Sequence, residues 1–204
     1  MKHLLLISIL FLTPLFLFEA KAQTEVIKNL AEQGDAIAQN RLGVMYIQGL
    51  GVLQNYEQAL YWYERSAEQG YAPAQNNLGY MYLAGVGIPK DYEKALPLFE
   101  KSAEQGFPPA QNNLGVVYLE GLGVPENHEL AFSWFEKAAK QGFAMAQSNL
   151  GMIYEEGLGI PQNYGLAFFW FKKAAEQGLA LAQDKLHNLR LKLQKGPDVQ
   201  EKGE

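Results

Sequence analysis

His128 and Glu129 are the adjacent pair with the most obvious chemical reach in this chain. An H-E-x-x-H run sets two imidazoles on one helix face for zinc, with the glutamate as general base. Phe132 stands where the second histidine is needed, so the pair makes no zinc motif. Gly-x-Gly recurs at Gly49/Gly51, Gly85/Gly87, Gly121/Gly123 and Gly157/Gly159. A phosphate cradle needs a further glycine or G-K-[ST] after a strand, whereas each of these follows a helical pattern and reads as a turn. No Ser-x-x-Lys is present, which removes the serine arrangement of penicillin-recognising enzymes. Glu155 and Glu156 are neighbours on a helix and therefore do not face one another as an acid–base pair. His187 lies among basic residues, a poor ligand setting. With no cysteine, disulfides, thiol catalysis and Cys-based metal sites are all excluded. The expectation is a chain that is not an enzyme and has no catalytic residue, no metal and no cofactor. A weak hydrolase of the β-lactamase type is the disfavoured alternative.

The elements that would position any site follow from a period. Gly34, Gly70, Gly106, Gly142 and Gly178 are 36 residues apart, each closing AEQG or AKQG. Ala38, Ala74, Ala110, Ala146 and Ala182 follow, then Leu42, Leu78, Leu114, Leu150 and Leu186. Gly43, Gly79, Gly115 and Gly151 come next, and Tyr46, Tyr82, Tyr118 and Tyr154 three residues on. The second half of the period carries Ala59, Ala95, Ala131 and Ala167, then Trp62, Leu98, Trp134 and Trp170. Ala74, Leu78 and Tyr82 sit at i, i+4 and i+8, one stripe of a helix. The Gly-x-Gly marks the turn to a second helix, whose N-caps are Asn55, Asp91, Asn127 and Asn163. Gly70 and its equivalents suit a left-handed residue just past a helix end.

Helix A is thus predicted near 37–48, 73–84, 109–120 and 145–156, and helix B near 55–68, 91–104, 127–140 and 163–176. Neither helix can bury its stripe alone, and stacked neighbours make one core. The fold class is all-α, a right-handed α/α superhelical solenoid of helix-turn-helix repeats. A side chain added at Gly43, Gly79, Gly115 or Gly151 would strike the partner helix. The organisation read from the sequence is a capping helix over 23–33 and repeats at 31–66, 67–102, 103–138 and 139–174. A partial repeat and C-terminal cap at 175–195 and a disordered tail at 196–204 complete it. Val26, Ile27 and Leu30 are expected to face inward at the N-terminal cap. Leu186, Leu189 and Leu193 are expected to do so at the C-terminal one, beneath a polar face of Lys185, Arg190, Lys192 and Lys195.

Residues 1–22 have the layout of a secretory signal peptide. Lys2 and His3 precede an apolar run from Leu4 to Phe18, and Ala20 and Ala22 are the small residues of a cleavage site. The run is short for a membrane span, which needs about 20 residues. The mature chain would start at Gln23, periplasmic or secreted, with no membrane insertion afterwards. Losing Lys2, Lys21 and Glu19 leaves 15 basic and 21 acidic residues, a net charge of −6. That balance argues against nucleic acid or an anionic membrane as the main partner.

The pattern A-x-x-x-L-G-x-x-Y-x-x-G-x-G, then A-x-x-W-[FY]-x-[KR]-[AS]-A-x-x-G, resembles the Sel-1-like repeat, a relative of the tetratricopeptide repeat with slightly longer units. The resemblance covers residues 24–194, with Leu98 for Trp and a degenerate fifth unit as departures. It implies an adaptor or scaffold role. Exported bacterial relatives are associated with the envelope and with host-cell interaction, and eukaryotic ones with quality control in the secretory compartment.

A tetratricopeptide-like array lines its concave surface with helix A, so the helix A positions away from the Ala/Leu/Tyr stripe are the candidate site. They form three rows. Asn40, Asn76, Asn112 and Ser148 continue to Asp184. Val44, Tyr80, Val116 and Met152 make the second row, and Ile47, Leu83, Leu119 and Glu155 the third. Amides beside apolar groups suit an extended peptide, whose backbone pairs with the amides while its side chains enter the apolar row. The same rows also fit solvated first-turn asparagines with the apolar groups spent on packing between repeats. The partner expected is a protein or peptide, in a periplasmic or secreted setting or as a virulence-type factor on a host protein; a monomer is compatible with this reading.

Overall fold

The computed structural model describes residues 22–194. The signal-peptide reading and the tail at 196–204 lie outside the described residues, except that Ala22 begins a helix. Residues 22–32 are helical (α1). Then follow α2 (Ala36–Gln48), α3 (Tyr56–Glu68), α4 (Ala72–Ala84), α5 (Tyr92–Glu104) and α6 (Pro108–Glu120). The remainder is α7 (His128–Lys140), α8 (Ala144–Glu156), α9 (Tyr164–Glu176) and α10 (Ala180–Gln194). Even-numbered helices are helix A and odd-numbered ones helix B, and no strand occurs among the described residues. The fold is an all-α solenoid of helix-pair repeats.

Local chemistry sets the ends. Helix A stops at a glycine in the left-handed region, as at Gly85 with φ 72°, which only glycine enters without strain. Helix B starts where an asparagine side chain takes an orphan amide: Asn127 Oδ1 accepts from Leu130 N at 3.0 Å. Asp91 does the same for Lys94 at 3.0 Å. The amide of each such cap residue donates back to the tyrosine carbonyl of helix A, at 3.0 Å for Asn55 to Tyr46 and 2.8 Å for Asn163 to Tyr154. The predicted caps and helix spans agree with these elements to within a residue or two.

The chain divides into two compact units, one ending at Ser102 and one beginning at Ala103. In the first, Ala59, Tyr63 and Ala67 of α3 bury against Ala74, Leu78 and Met81 of α4. Tyr63 lies directly on Gly43 of α2, where a Cβ would stand 2.6 Å from the ring. Polar rungs cross the same packing. Ser66 Oγ donates to Ala36 O at 2.6 Å, and Gln39 Nε2 to Ala31 O at 3.0 Å. Gln69 Nε2 donates to Gln39 Oε1 at 2.7 Å. Such buried polar groups are tolerated because they are paired.

At the N-terminal end the structure corrects the sequence. Ile27 and Ala31 face α2 and α3 with Trp62, but Val26 is 57% and Leu30 43% exposed. Residues 27 and 31 form one i, i+4 stripe, and 26 and 30 form the next one round, which nothing described covers. Trp62 Nε1 is buried with no hydrogen-bond partner.

The second unit repeats the design with phenylalanine. Phe135 of α7 and Phe171 of α9 are fully buried beneath Gly115 and Gly151, where a Cβ would lie 2.7 and 2.6 Å from the rings. Gln147 Nε2 donates to Ala139 O at 3.2 Å, and Gln177 Nε2 to Gln147 Oε1 at 2.8 Å. At the C-terminal end Leu186 and Leu189 bury against Ala167 and Phe171. Leu193 does not join them and is 49% exposed, since the stripe runs past the end of α9. Arg190 stacks over Phe168 at 5.3 Å and Lys192 over Tyr164 at 4.9 Å, so these cations cover α9 rather than only facing water.

Candidate peptide-binding groove

The first predicted row is inside the protein. Asn40, Asn76, Asn112 and Ser148 are buried, while Asp184 is exposed. Asn40 Oδ1 accepts from Asn77 Nδ2 at 2.9 Å, and Asn112 Oδ1 accepts from Asn149 Nδ2 at the same distance. Asn76 Nδ2 lies 3.4 Å from Asn77 Oδ1. These amides tie one helix A to the next within each unit. They are not solvated first-turn residues, and their pairing is spent on the protein itself.

The apolar rows are half-buried, with one exception. Val44 and Ile47 pack against the α3–α4 core, and Val116 and Leu119 against the α7–α8 core. Met152 leans on the α9–α10 core. Leu83 is half-buried, and Glu155 reaches Lys192 Nζ at 3.9 Å. Tyr80 alone stands well out, at 52% exposure.

In the first unit these side chains enclose a groove of about 260 Å³. Val44, Ile47 and Gln48 of α2 form one wall, and Asn77, Tyr80 and Met81 of α4 the other. Tyr63 of α3 and Val86 of the following turn complete the lining. Three predicted residues, Val44, Ile47 and Tyr80, are thus brought together. Gln48, Tyr63, Asn77, Met81 and Val86 were not foreseen. Asn77 could have been found as the residue one position past the row, since two amides in sequence put one on each side of the helix-to-helix seam. Tyr63 carried a signal too: the equivalent positions are Phe99, Phe135 and Phe171.

Burial pushes the Tyr63 phenol up to about 12. A hydroxyl in this apolar floor is held neutral, able to donate one hydrogen bond and to accept another. Tyr82 and Tyr154 are raised as well, first by burial and then by Glu64 and Glu136 respectively; Tyr82 lies 3.5 Å from the Glu64 carboxylate. Among the described residues no cluster of three or more His, Asp or Glu side chains could hold a metal ion. No described helix is long and apolar enough to cross a membrane.

The Sel1 repeat model matches residues 36–71, 72–107, 108–143 and 144–179, each match opening at the first residues of helix A. A protective antigen present in uropathogenic Escherichia coli strains, displaying an SLR fold, is 38% identical, with a TM-score of 0.77. The alignment covers 83% of this chain but 37% of that one, so the chain spans well under half of that protein. A Sel1 repeat protein from Oxalobacter formigenes is 35% identical with a TM-score of 0.77, over 89% of this chain and 74% of its own. An immunity protein from Pseudomonas aeruginosa, 24% identical over 86% of this chain and 75% of its own, has a TM-score of 0.56 and shares the fold alone. No curated protein matches the chain. Sel1 repeats generally mediate protein–protein interaction, and the family is typically a non-catalytic scaffold. With four consecutive matches in one register, the same register that sets the glycine-on-aromatic packing, this chain belongs to the Sel1 repeat family.

Proposed function

We propose that this chain is an exported interaction module that grips an extended segment of another protein in the groove between α2 and α4. The observation that carries the reading is Tyr80, half out of the protein beside a groove lined by Val44, Ile47, Met81 and Val86. Aromatic side chains placed this way are frequent anchors of interfaces. The groove is smaller than the roughly 300–1,000 Å³ typical of small-molecule sites, which suits one or two side chains of a larger partner. Gln48 at the rim and the Tyr63 hydroxyl on the floor offer hydrogen bonds to that segment's backbone. Export rests on the leader-like residues 1–22, and the likeness to a protective antigen supports it.

Peptide display against the purified chain, followed by calorimetric titration of the enriched peptides, tests the groove. Tyr80→Ala with Val44→Asp, verified as folded by circular dichroism, should weaken binding at least about tenfold, the order of one lost interface anchor. Enriched peptides that bind the double variant as tightly as the parent would overturn the assignment. Mass spectrometry of the chain recovered from a bacterial host should find Gln23 at the N-terminus; an intact Met1 would remove the export reading.

A further inference from the structure

The outward stripe of α9 is apolar at three of its four positions and, like Tyr61 and Trp62 with Arg65 in α3, sets an edge-on aromatic pair beneath a cation. Positions 166, 169, 170 and 173 lie at i, i+3, i+4 and i+7 and hold Leu166, Phe169, Trp170 and Lys173. Leu166 and Phe169 are 39% and 45% exposed, and Phe169 stands edge-on to Trp170 at 5.1 Å. The same stripe reads Gln, Tyr, Trp, Arg in α3 and Lys, Pro, Leu, Lys in α5. In α7 it reads Leu, Ser, Trp, Lys.

The position just before the stripe departs in parallel. Glu57, Glu93 and Glu129 occupy the first turn of α3, α5 and α7, where an acid meets the positive helix end. In α9 it is Gly165, and the first turn contains no acid. Nothing in the fold requires this glycine. Its backbone is not in the left-handed region, and a Cβ there would meet only the Asn163 side chain of its own cap, at 3.3 Å. Glycine inside a helix is less stable than alanine there. What it leaves is a flat approach to backbone beside an exposed leucine and phenylalanine.

Charge says what lies there. One end of the stripe is a helix N-terminus without its acid, and the other is Lys173. That lysine stacks over Phe169 at 4.9 Å and Trp170 at 5.7 Å and forms no ion pair among the described residues. The first turn of α9 thus lacks an acid and Lys173 forms no ion pair among the described residues, while Glu176, one turn on, lies 3.8 Å from Lys172. The geometry points to an acidic amphipathic helix of a partner protein docking on α9, its apolar side chains over Leu166, Phe169 and Trp170 and its carboxylates on the α9 N-terminus and Lys173. This site is separate from the α2–α4 groove and stands on other residues.

The test uses the purified full chain and two synthetic amphipathic peptides of about 18 residues, long enough to hold helix on contact. They share one leucine–phenylalanine face and differ only in carrying glutamate or lysine on the flanks. Fluorescence anisotropy should show the acidic peptide binding and the basic one at least about tenfold weaker. Gly165→Glu, which restores the acid of the other repeats, and Phe169→Ser should each reduce acidic-peptide binding about tenfold with an unchanged circular dichroism spectrum. The Tyr80/Val44 double variant should leave it unchanged, which separates failure here from failure of the groove. Equal binding of the two peptides, no binding of the acidic one, or full binding by folded Gly165→Glu would overturn the proposal. So would a dimer in sedimentation that Gly165→Glu dissolves, which assigns the patch to self-association. Co-pelleting with phosphatidylglycerol vesicles in preference to the acidic peptide would overturn it in favour of a lipid surface.

Discussion

The ring beneath Gly43 is a tyrosine and the ring beneath Gly115 is a phenylalanine, and that single oxygen summarises how the two units diverge. Gly43, Gly115 and Gly151 close onto an aromatic of helix B at added-Cβ distances within about 0.1 Å of one another, and a Cβ at Gly79 would stand 3.0 Å from Phe99 in the first unit. Around Tyr63 the first unit keeps Gln48 and an exposed Tyr80. The equivalent positions of the second unit are Phe135, Glu120 and Met152, with Met152 packed onto the next core. On helix B the first unit exposes Tyr61, and the second Leu130, Leu166 and Phe169. The repeat-invariant positions thus hold the fold in both places, and each unit exposes side chains where it breaks its own period.

The largest effect should come from removing an invariant ring. Phe135→Ala deletes a fully buried side chain and leaves a cavity under Gly115, a loss of about 3–5 kcal/mol in urea unfolding. Tyr63→Ala should cost less than Phe135→Ala, because Tyr63 lines the groove at 4% exposure whereas Phe135 is fully buried. An equal loss at both positions would mean that the groove is closed in solution and the contrast between the units is smaller than the static structure implies.

Adding a methyl to the other side of the contact comes next. Gly151→Ala puts a Cβ 2.6 Å from the Phe171 ring, and overpacking of this kind costs about 1–3 kcal/mol. Gly43→Ala should behave alike against Tyr63, also at 2.6 Å. The Tyr63 oxygen gives the first unit something the second lacks, a pH dependence at the core contact. Its folded pKa is raised from 10.0 to about 12, so the native state holds the proton more tightly than the unfolded chain. The associated stability is fully present below pH 10 and is lost as pH rises towards 12, at up to about 1.4 kcal/mol per unit. Unfolding of the parent and of Tyr63→Phe, compared from pH 9 to 12, isolates this from other tyrosines. Parallel curves would show that the phenolate is solvated in the folded protein.

Most of the fold could be read from the 36-residue spacing, because glycine caps, asparagine caps and the Ala/Leu stripe each act within a few residues of sequence. The end helices were harder. Val26 is apolar but lies beside the stripe that reaches a neighbour, and Leu193 lies on its stripe but past the end of α9, because helical phase and reach at a terminus are fixed by a single contact rather than two. The site was partly legible. Val44, Ile47 and Tyr80 came from helical spacing, whereas the burial of Asn40 and Asn112 depends on partners 37 residues away that only packing selects. The α9 patch was visible only as a break in the period, Gly165 among three glutamates, and such a break has no meaning until the space around it is known.

That glycine gives the smallest expected effect and the sharpest contrast with Gly151, which sits in the same unit. Both lie inside helices, and both would lose conformational freedom in the unfolded chain if replaced by alanine. At Gly151 the ring of Phe171 opposes the gain; at Gly165 only the residue's own cap is near. Gly165→Ala should therefore stabilise the chain by about 0.5–1 kcal/mol, opposite in sign to Gly151→Ala. Chemical unfolding of the two variants side by side reads the signs directly. If Gly165→Ala destabilised the chain, the glycine would have a duty within the fold, and its absence of acid and side chain would no longer point outward to a partner. If it stabilises, the protein is keeping a weaker helix than its own repeat can provide, beside the exposed Leu166 and Phe169.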